Sequence, residues 1–318
     1  VTPSALVTGA GGFLGSHLVD RLLADGYTVW GLDNFTTGSP RNLLSARSHG
    51  RFHLLRRDLT RAGPLPRTDV IYHLASPASP PRYQADPVGT LLVNSLGTLA
   101  VLRQAVRGRS RVVLASTSEV YGDPEVHPQP ETYWGHVNPI GPRSCYDEGK
   151  RFSEALSVAF AGTQGADVRI ARIFNTYGPR MALDDGRVVS NFIVQGLRGE
   201  PLTVQGRGDQ SRSFCYVSDL VEGLRRMADA PVGRVQGPVN LGNPRGELSV
   251  LGLARLIQRL TGDRSEIRHI ARAADDPERR RPDVRRARSW LGWRPRVPLS
   301  QGLERTVRDF RERLEGEP

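Results

Sequence analysis

Short apolar runs alternate with longer stretches of helical periodicity along the first half of the chain. The runs at 5–8, 28–33, 52–56, 70–74, 111–115 and 168–174 are dominated by Val, Ile, Leu and Ala and predict strands. Their near-continuous apolar character is what a strand covered on both faces requires. Between the first two, residues 12–25 carry Phe13, Leu14, Leu18, Leu22 and Leu23 at near-helical spacing, and 87–106 holds a similar stripe, so both predict helices that bury one side. Strand followed by helix, repeated, is the pattern of a doubly wound parallel sheet, an α/β fold.

After residue 174 the rhythm breaks into loops rich in Gly, Pro and Arg, with helices predicted near 189–198, 217–227, 248–260 and 302–314. This half reads as a smaller C-terminal substrate-binding lobe. The division falls at 1–175 and 176–318, with some chain crossing back to the first domain. No repeat or low-complexity tether separates the two parts, so they should pack tightly.

Composition narrows the class. At 318 residues with a mean hydropathy of −0.39, the chain can bury a large core, and no apolar run approaches the roughly 20 residues needed to cross a bilayer. No membrane partner is expected. The first strand begins within a few residues of the start, leaving no room for a signal core; the sequence begins with Val rather than Met. Only Cys145 and Cys215 are present, without metal-ligand spacing, so no metal is expected and a reducing cytoplasm is.

The net charge of +11 invites a nucleic-acid or polyanion reading. Against it, the densest basic run, 268–296, is interleaved with Asp275, Asp276, Glu278 and Asp283, as a solvated face would be, and no nucleic-acid-binding signature accompanies it. No nucleic-acid partner is expected. Of the 44 Lys and Arg residues, 43 are Arg and one, Lys150, is Lys. An ammonium is a compact charge whose pKa responds to burial, which a guanidinium cannot offer.

The first strand leads directly into Thr8-Gly9-Ala10-Gly11-Gly12-Phe13-Leu14-Gly15 and then into a helix pattern. Glycines let the backbone turn sharply and approach a pyrophosphate, while the helix start offers unpaired N–H groups. In this strand-turn-helix setting the spacing predicts a dinucleotide site at Gly9, Gly12, Phe13, Leu14 and Gly15. Asp33 ends the second strand, where a carboxylate can accept the adenosine-ribose hydroxyls and repel a 2′-phosphate; Asn34 follows, and no Arg appears before Arg41. NAD is therefore expected over NADP. Asp58 and Leu59 after the third strand, and Leu74, Ala75 and Ser76 after the fourth, sit where the two riboses should lie.

Tyr146 and Lys150 are four apart, on one face of a helix. A nearby cation lowers a phenol pKa, so this tyrosine can remove a hydroxyl proton while NAD oxidises the same carbon. Upstream, the fifth strand runs into Ser116-Thr117-Ser118-Glu119, where a hydroxyl can bond the reacting oxygen and an acid faces the same cleft.

These residues resemble extended short-chain dehydrogenases acting on nucleotide sugars. Within them, residues 73–81, 116–141, 145–151, 171–181, 185–192 and 281–283 look like UDP-glucuronate decarboxylases, over nearly the whole chain. The resemblance implies a Rossmann-type homodimer paired through helices, with tightly held NAD and a UDP-sugar acid between the lobes. It implies Thr117, Ser118, Glu119, Tyr146, Lys150 and Arg280 as catalytic residues. Substrate contacts are implied at Asn175, Arg212, Arg187, Val189, at Arg280 or Arg281, and at Ser79, Arg82 and Tyr83 of a Pro-rich segment folding over the sugar.

A related dehydratase carries Asp-Glu where this chain has Ser118-Glu119, and a hydroxyl there cannot readily protonate a departing 6-hydroxyl. Oxidation at C4 remains possible, and a glucuronate oxidised at C4 is a β-keto acid that loses carbon dioxide easily. The implied reaction is UDP-glucuronate to UDP-xylose, with C5 reprotonated through a water held by Glu119. The rival readings are a UDP-sugar 4-epimerase or 4,6-dehydratase on the same scaffold and, from another class, a non-catalytic NAD- or polyanion-binding protein. Gln205 stands where family members have a Tyr near the uridine, and Gly89 and Leu92 replace lysines of many members.

Overall fold

The computed structural model describes residues 2–61, 63–262 and 264–316. Seven parallel strands form the main sheet: β1 (Ser4–Thr8), β2 (Thr28–Asp33), β3 (Phe52–Arg56), β4 (Val70–His73), β5 (Arg111–Thr117), β6 (Val168–Ile173) and the strand Val239–Leu241. Their spatial order is Val239–Leu241, β6, β5, β4, β1, β2, β3, so the order reverses beside β1. Ligands of such sheets bind outside the strand C-termini at this switch point. Every pairing in the sheet is parallel, with Leu6 opposite Trp30 on one side and Ile71 on the other.

Helices cover both faces. Phe13–Ala24 buries Leu18, Val19 and Leu22 against one face, whereas Val101, Ala105 and Leu102 of Thr98–Gly108 pack on the other. Burying such side chains fully contributes roughly 1.5–3 kcal/mol each. The chain does cross back: helix Val217–Asp229 packs on β5 and β6, and Val239–Leu241 joins the sheet's edge. The C-terminal part adds a small sheet in which Ser211–Ser213 pairs with Glu247–Ser249 and Arg279–Arg280.

One predicted helix differs from its reading. In place of a single helix over 87–106, the chain forms Pro87–Leu92, a π turn at Val93–Gly97 and Thr98–Gly108, with a separate helix at Pro80–Ala85 before them. Side chains explain the wider turn: Asn94 Nδ2 donates to the Thr90 carbonyl, and the Asn94 carbonyl accepts from both Thr98 and Ser153 hydroxyls. A Cβ on Gly149 would lie 3.3 Å from Asn94 Cβ, so this turn seats against the helix Ser144–Gln164 that carries Tyr146 and Lys150. Gly89 starts its helix beneath a cap from Asp86, whose Oδ1 accepts the Gly89 N–H at 2.9 Å. Leu92 is exposed, and neither residue lines the main cavity.

Candidate active site

A cavity of about 560 Å³ opens above the C-terminal ends of β1, β4, β5 and β6. Its floor is the glycine turn. Gly9 has φ near +72°, and a Cβ there would lie 2.9 Å from the Ala75 backbone nitrogen; a Cβ on Gly15 would lie 2.0 Å from the Gly9 carbonyl oxygen. Any side chain would fill the cradle in which a pyrophosphate must sit. No side chain caps the helix at Gly12, so its N-terminal N–H groups keep capacity for an anion. Asp33 accepts the Gly11 N–H at 2.8 Å and the Phe35 N–H at 2.7 Å, which ties the acid to the turn and leaves lone pairs for a ribose diol. Burial raises the Asp33 pKa, and these backbone donors pull it back. The residues present fit NAD.

Gly9, Gly12, Phe13, Leu14, Gly15, Leu74 and Ser76 line the cavity; Asp33, Asn34, Asp58, Leu59 and Ala75 do not. Asp58 closes a turn onto Thr60, Leu59 is a core residue, and the Ala75 N–H donates to the Thr8 hydroxyl at 3.2 Å.

All six residues expected to be catalytic line the same cavity. Tyr146 is buried, its ring stacked on Tyr83 at 5.1 Å with 3° between planes. Burial pushes the phenol pKa up; the Thr117 hydroxyl pulls it down, Glu119 pushes it up and Arg187 pulls it down. The Arg187 contribution was not legible in the spacing of Tyr146 and Lys150. Lys150 is buried on the next helical turn, donates to the Ala115 carbonyl at 2.8 Å, and has its pKa lowered to about 8 by desolvation, opposed by Glu154.

Thr117 ends β5 and caps the turn Ser118–Tyr121 by accepting the Glu119 N–H. Glu119 projects between two guanidinium groups: Arg143 reaches Oε2 at 2.6 Å, and Arg280 bonds Oε1. Against the burial that would raise it, Arg280 and Arg143 lower the Glu119 pKa to about 2. The acid is therefore an ionised, doubly paired carboxylate, which accepts hydrogen bonds and does not donate them.

Ser79, Arg82, Tyr83, Asn175, Arg187 and Arg212 also line the cavity. Arg187 makes a bidentate pair with Asp185, and Arg212 reaches Asp276 at 2.9 Å. Two expected contacts are not brought there. Val189 is turned into the core, leaving Val188 in the wall, and the Arg281 guanidinium lies 3.4 Å from Glu247, outside the cavity. Of the two, Arg280 lines the cavity and Arg281 does not. Gln205 does line the cavity, beside Thr203 and Gln210.

Sequence reasoning missed Arg143, Asp147, Glu154, Asp185 and Asp276. A signal existed for three: Glu154 continues the i, i+4 series of Tyr146 and Lys150, and Arg143 and Asp147 are themselves four apart at the start of the same helix. In the basic run, Arg272 pairs with Glu278, Arg285 with Asp283 and Arg286 with Glu131, so much of its charge is neutralised locally.

Residues 5–242 match the profile of the NAD dependent epimerase/dehydratase family. UDP-glucuronic acid decarboxylase 1 of Xenopus tropicalis is 55% identical over 98% of this chain and 72% of its own length. UDP-glucuronic acid decarboxylase 3 of Arabidopsis thaliana is 53% identical over 97% of this chain and 89% of its own. Among solved structures, UDP-glucuronic acid 4-epimerase from Bacillus cereus, in complex with UDP-glucuronic acid and NAD, superposes with a TM-score of 0.88 at 28% identity, covering 98% of this chain and 99% of that one. UDP-glucose 4-epimerase from Thermotoga maritima, with UDP-glucose, gives a TM-score of 0.88 at 30% identity over 98% and 99% of the two chains. A cofactor cradle, a buried Tyr-Lys pair and these likenesses agree: the chain belongs to the NAD dependent epimerase/dehydratase family and, within it, to the UDP-glucuronic acid decarboxylases.

Proposed function

We propose that this protein is an NAD-dependent carboxy-lyase that converts UDP-glucuronate to UDP-xylose. The observation that carries the reading is the convergence of Tyr146, Lys150, Thr117, Ser118 and Glu119 on one cavity, in a chain more than half identical to UDP-glucuronic acid decarboxylases over nearly its full length.

The glycine turn, with Asp33 at its edge, holds the dinucleotide. When bound, NAD supplies a reversible oxidation at the sugar C4. Tyr146 removes the C4 hydroxyl proton, helped by the Thr117 hydroxyl and by the positive charges of Lys150 and Arg187. With C4 a ketone, the C5 carboxylate leaves as carbon dioxide, and its bonding electrons collect as an enolate whose oxygen lies toward Tyr146 and Thr117. Tyr146 later returns its proton to the C4 oxygen. Arg187, Arg212 and Arg280 are the guanidinium groups available to the diphosphate and the sugar acid.

Ser118 in place of an acid argues against a 4,6-dehydratase. A 4-epimerase is the second reading, favoured by the solved structures of similar fold. Incubation with UDP-glucuronate separates them: carbon dioxide and a pentose nucleotide in the mass spectrum support the decarboxylase, and UDP-galacturonate as the product overturns it. A non-catalytic NAD- or polyanion-binding protein would give neither product.

Two further properties belong to this reading. The helices at 87–97 and 144–164 expose Val88, Leu91, Leu96, Phe152 and Val158, which supports a homodimer paired through helices. Two free, buried cysteines support a reducing compartment such as the cytoplasm.

A further inference from the structure

Decarboxylation has a proton balance that the Tyr146 site cannot close. The proton removed from the C4 hydroxyl is returned to the same oxygen, so Tyr146 and Lys150 end the cycle as they began. The carboxylate leaves as carbon dioxide, the electron pair of the broken C–C bond passes to the C4 enolate, and C5 gains one new proton. One proton per turnover must therefore enter from bulk water. Glu119, ionised between two arginines, does not hold one in the resting enzyme.

A second cavity of about 400 Å³ adjoins the first and shares Arg143, Ala273 and Asp276 with it. Asp147 lines this second cavity, one helical turn beyond Arg143. It is buried, with 5% of its surface exposed, and among the described residues its Oδ1 has no hydrogen-bond partner. An unpaired carboxylate in such a place costs several kcal/mol if charged, and the cost falls when it takes a proton. Its surroundings reinforce this: Glu119 opposes its charge from the turn after β5, while Arg143 and Arg280 only partly offset burial, and Glu148 on its own helix adds a further opposing charge. Tyr83 and Tyr146 also feel its charge from the cavity side. The cavity wall beyond it carries Asp123, Asp275, Asp276 and Glu278 with His136 and Arg272, a polar lining that water can follow.

We infer that Asp147 is the proton store of the reaction and that the second cavity is the path by which it is refilled from solvent. This rests on the decarboxylase reading. Burial and the nearby Glu119 raise the pKa of Asp147, whose Oδ1 has no donor, while Arg280 and Arg143 lower that of Glu119, so of the two carboxyls Asp147 is the one that takes the proton. When an anionic substrate draws Arg280 away, Glu119 loses a cation and its proton affinity rises. A proton from Asp147 then crosses where the two cavities meet beside Arg143, reaches Glu119 and passes on to C5, and a bulk proton replaces it at Asp147. Asp147 acts through Glu119 and is a positioning residue; it does not itself meet the sugar.

The test uses the holoenzyme with UDP-glucuronate in D2O. The wild type is expected to place one deuterium on one face of C5. Asp147→Asn is expected to turn over on the order of 10²-fold more slowly, to release 4-keto pentose nucleotide, and to carry deuterium on both faces of C5, because the enolate is protonated after escape. Its alkaline limb should depend on one proton where the wild type depends on two, since Lys150 also titrates there, and Asp147→Glu should restore both properties. A second variant leaves the carboxylate in place: Asn138→Trp, at the exposed rim of the second cavity, should slow turnover and release keto product in the same way. Wild-type rate, C5 stereochemistry and pH profile in either variant overturn the inference. Failure of the wild type to release carbon dioxide would instead overturn the function on which it rests.

Discussion

The Lys150 ammonium lies 5.8 Å from the centroid of the Tyr146 ring, one helical turn away, and is anchored by a 2.8 Å hydrogen bond to the Ala115 carbonyl. The bond fixes the charge against β5, under the phenol it serves. Because Tyr83 stacks on this ring, Tyr146 has little freedom to turn away.

Tyr146→Phe is accordingly expected to keep the fold and NAD affinity while turnover falls by about 10²–10⁴-fold, the usual worth of a positioned acid-base group. Steady-state kinetics beside a cofactor-binding titration checks this. Retained turnover would move the proton chemistry to another residue.

Lys150 also sets a pH dependence of stability. Its folded pKa is depressed to about 8 by burial, whereas an unfolded lysine titrates near 10.4. Below pH 8 the ammonium is charged in both states, and its desolvation cost is fully present. Between about 8 and about 10.4 the unfolded chain binds more protons, so stability from this group rises with pH. Lys150→Met is expected to be inactive yet more stable by about 1–3 kcal/mol at pH 7, with the gap closing above pH 10. Denaturant titrations at the two pH values measure the difference.

Glu119→Ala removes the carboxylate that pairs with both Arg143 and Arg280 and leaves Arg143 only a 3.7 Å contact with Asp276. Breaking a buried pair in this way costs about 3–5 kcal/mol. Slow turnover with escape of a 4-keto pentose nucleotide is the expected kinetic result. In the wild type the depressed pKa, about 2, means that this stabilisation is present above the unfolded value near 4.3 and is lost as pH falls toward 2. Thermal melts of both proteins between pH 7 and pH 3 should converge.

The parallel sheet was legible because most strands are short apolar runs and the helices between them carry one-sided stripes. The cofactor turn was legible because glycine spacing reports backbone approach directly, as Gly9 and Gly15 demonstrate. The π turn at Val93–Gly97 was not, since it follows from Asn94 and Ser153 meeting across helices 59 residues apart in sequence. Glu119 was read correctly as a cleft acid, but its charge state depends on Arg280, 161 positions away. Arg281 and Arg280 are indistinguishable by composition, and only the folded chain shows that Arg280 lines the cavity while Arg281 turns to Glu247.

The position of Arg281 outside the cavity is testable against Arg187 inside it. Arg187→Met, which strips a cation from the cavity and leaves Asp185 unpaired, is expected to raise KM for the nucleotide sugar by about 10-fold or more, a charge-assisted bond being worth about 1.5–3 kcal/mol. Arg281→Met breaks only a long contact with Glu247 at the half-exposed surface and should change KM by less than about 3-fold, within the range of exposed pairs. Equal effects would place both arginines on the substrate.

The exposed apolar residues of the helices at 87–97 and 144–164 form the last prediction. Val88 is 66% exposed, Leu96 47%, Phe152 49% and Val158 61%, although scattered single exposures would need no explanation. The informative point is that half of the exposed large apolar side chains among the described residues gather on two adjacent helices that pack on each other, and such a gathering marks a contact surface. Two copies related by a twofold axis would lay this patch on itself, each helix pair completing the other's. Leu96→Glu combined with Phe152→Glu would put four like charges into that surface and should give a monomer, read by light scattering after size exclusion, with the sheet's circular dichroism unchanged. A wild type that elutes as a monomer at micromolar concentration would instead leave the patch open to a different partner and remove the homodimer from the proposal.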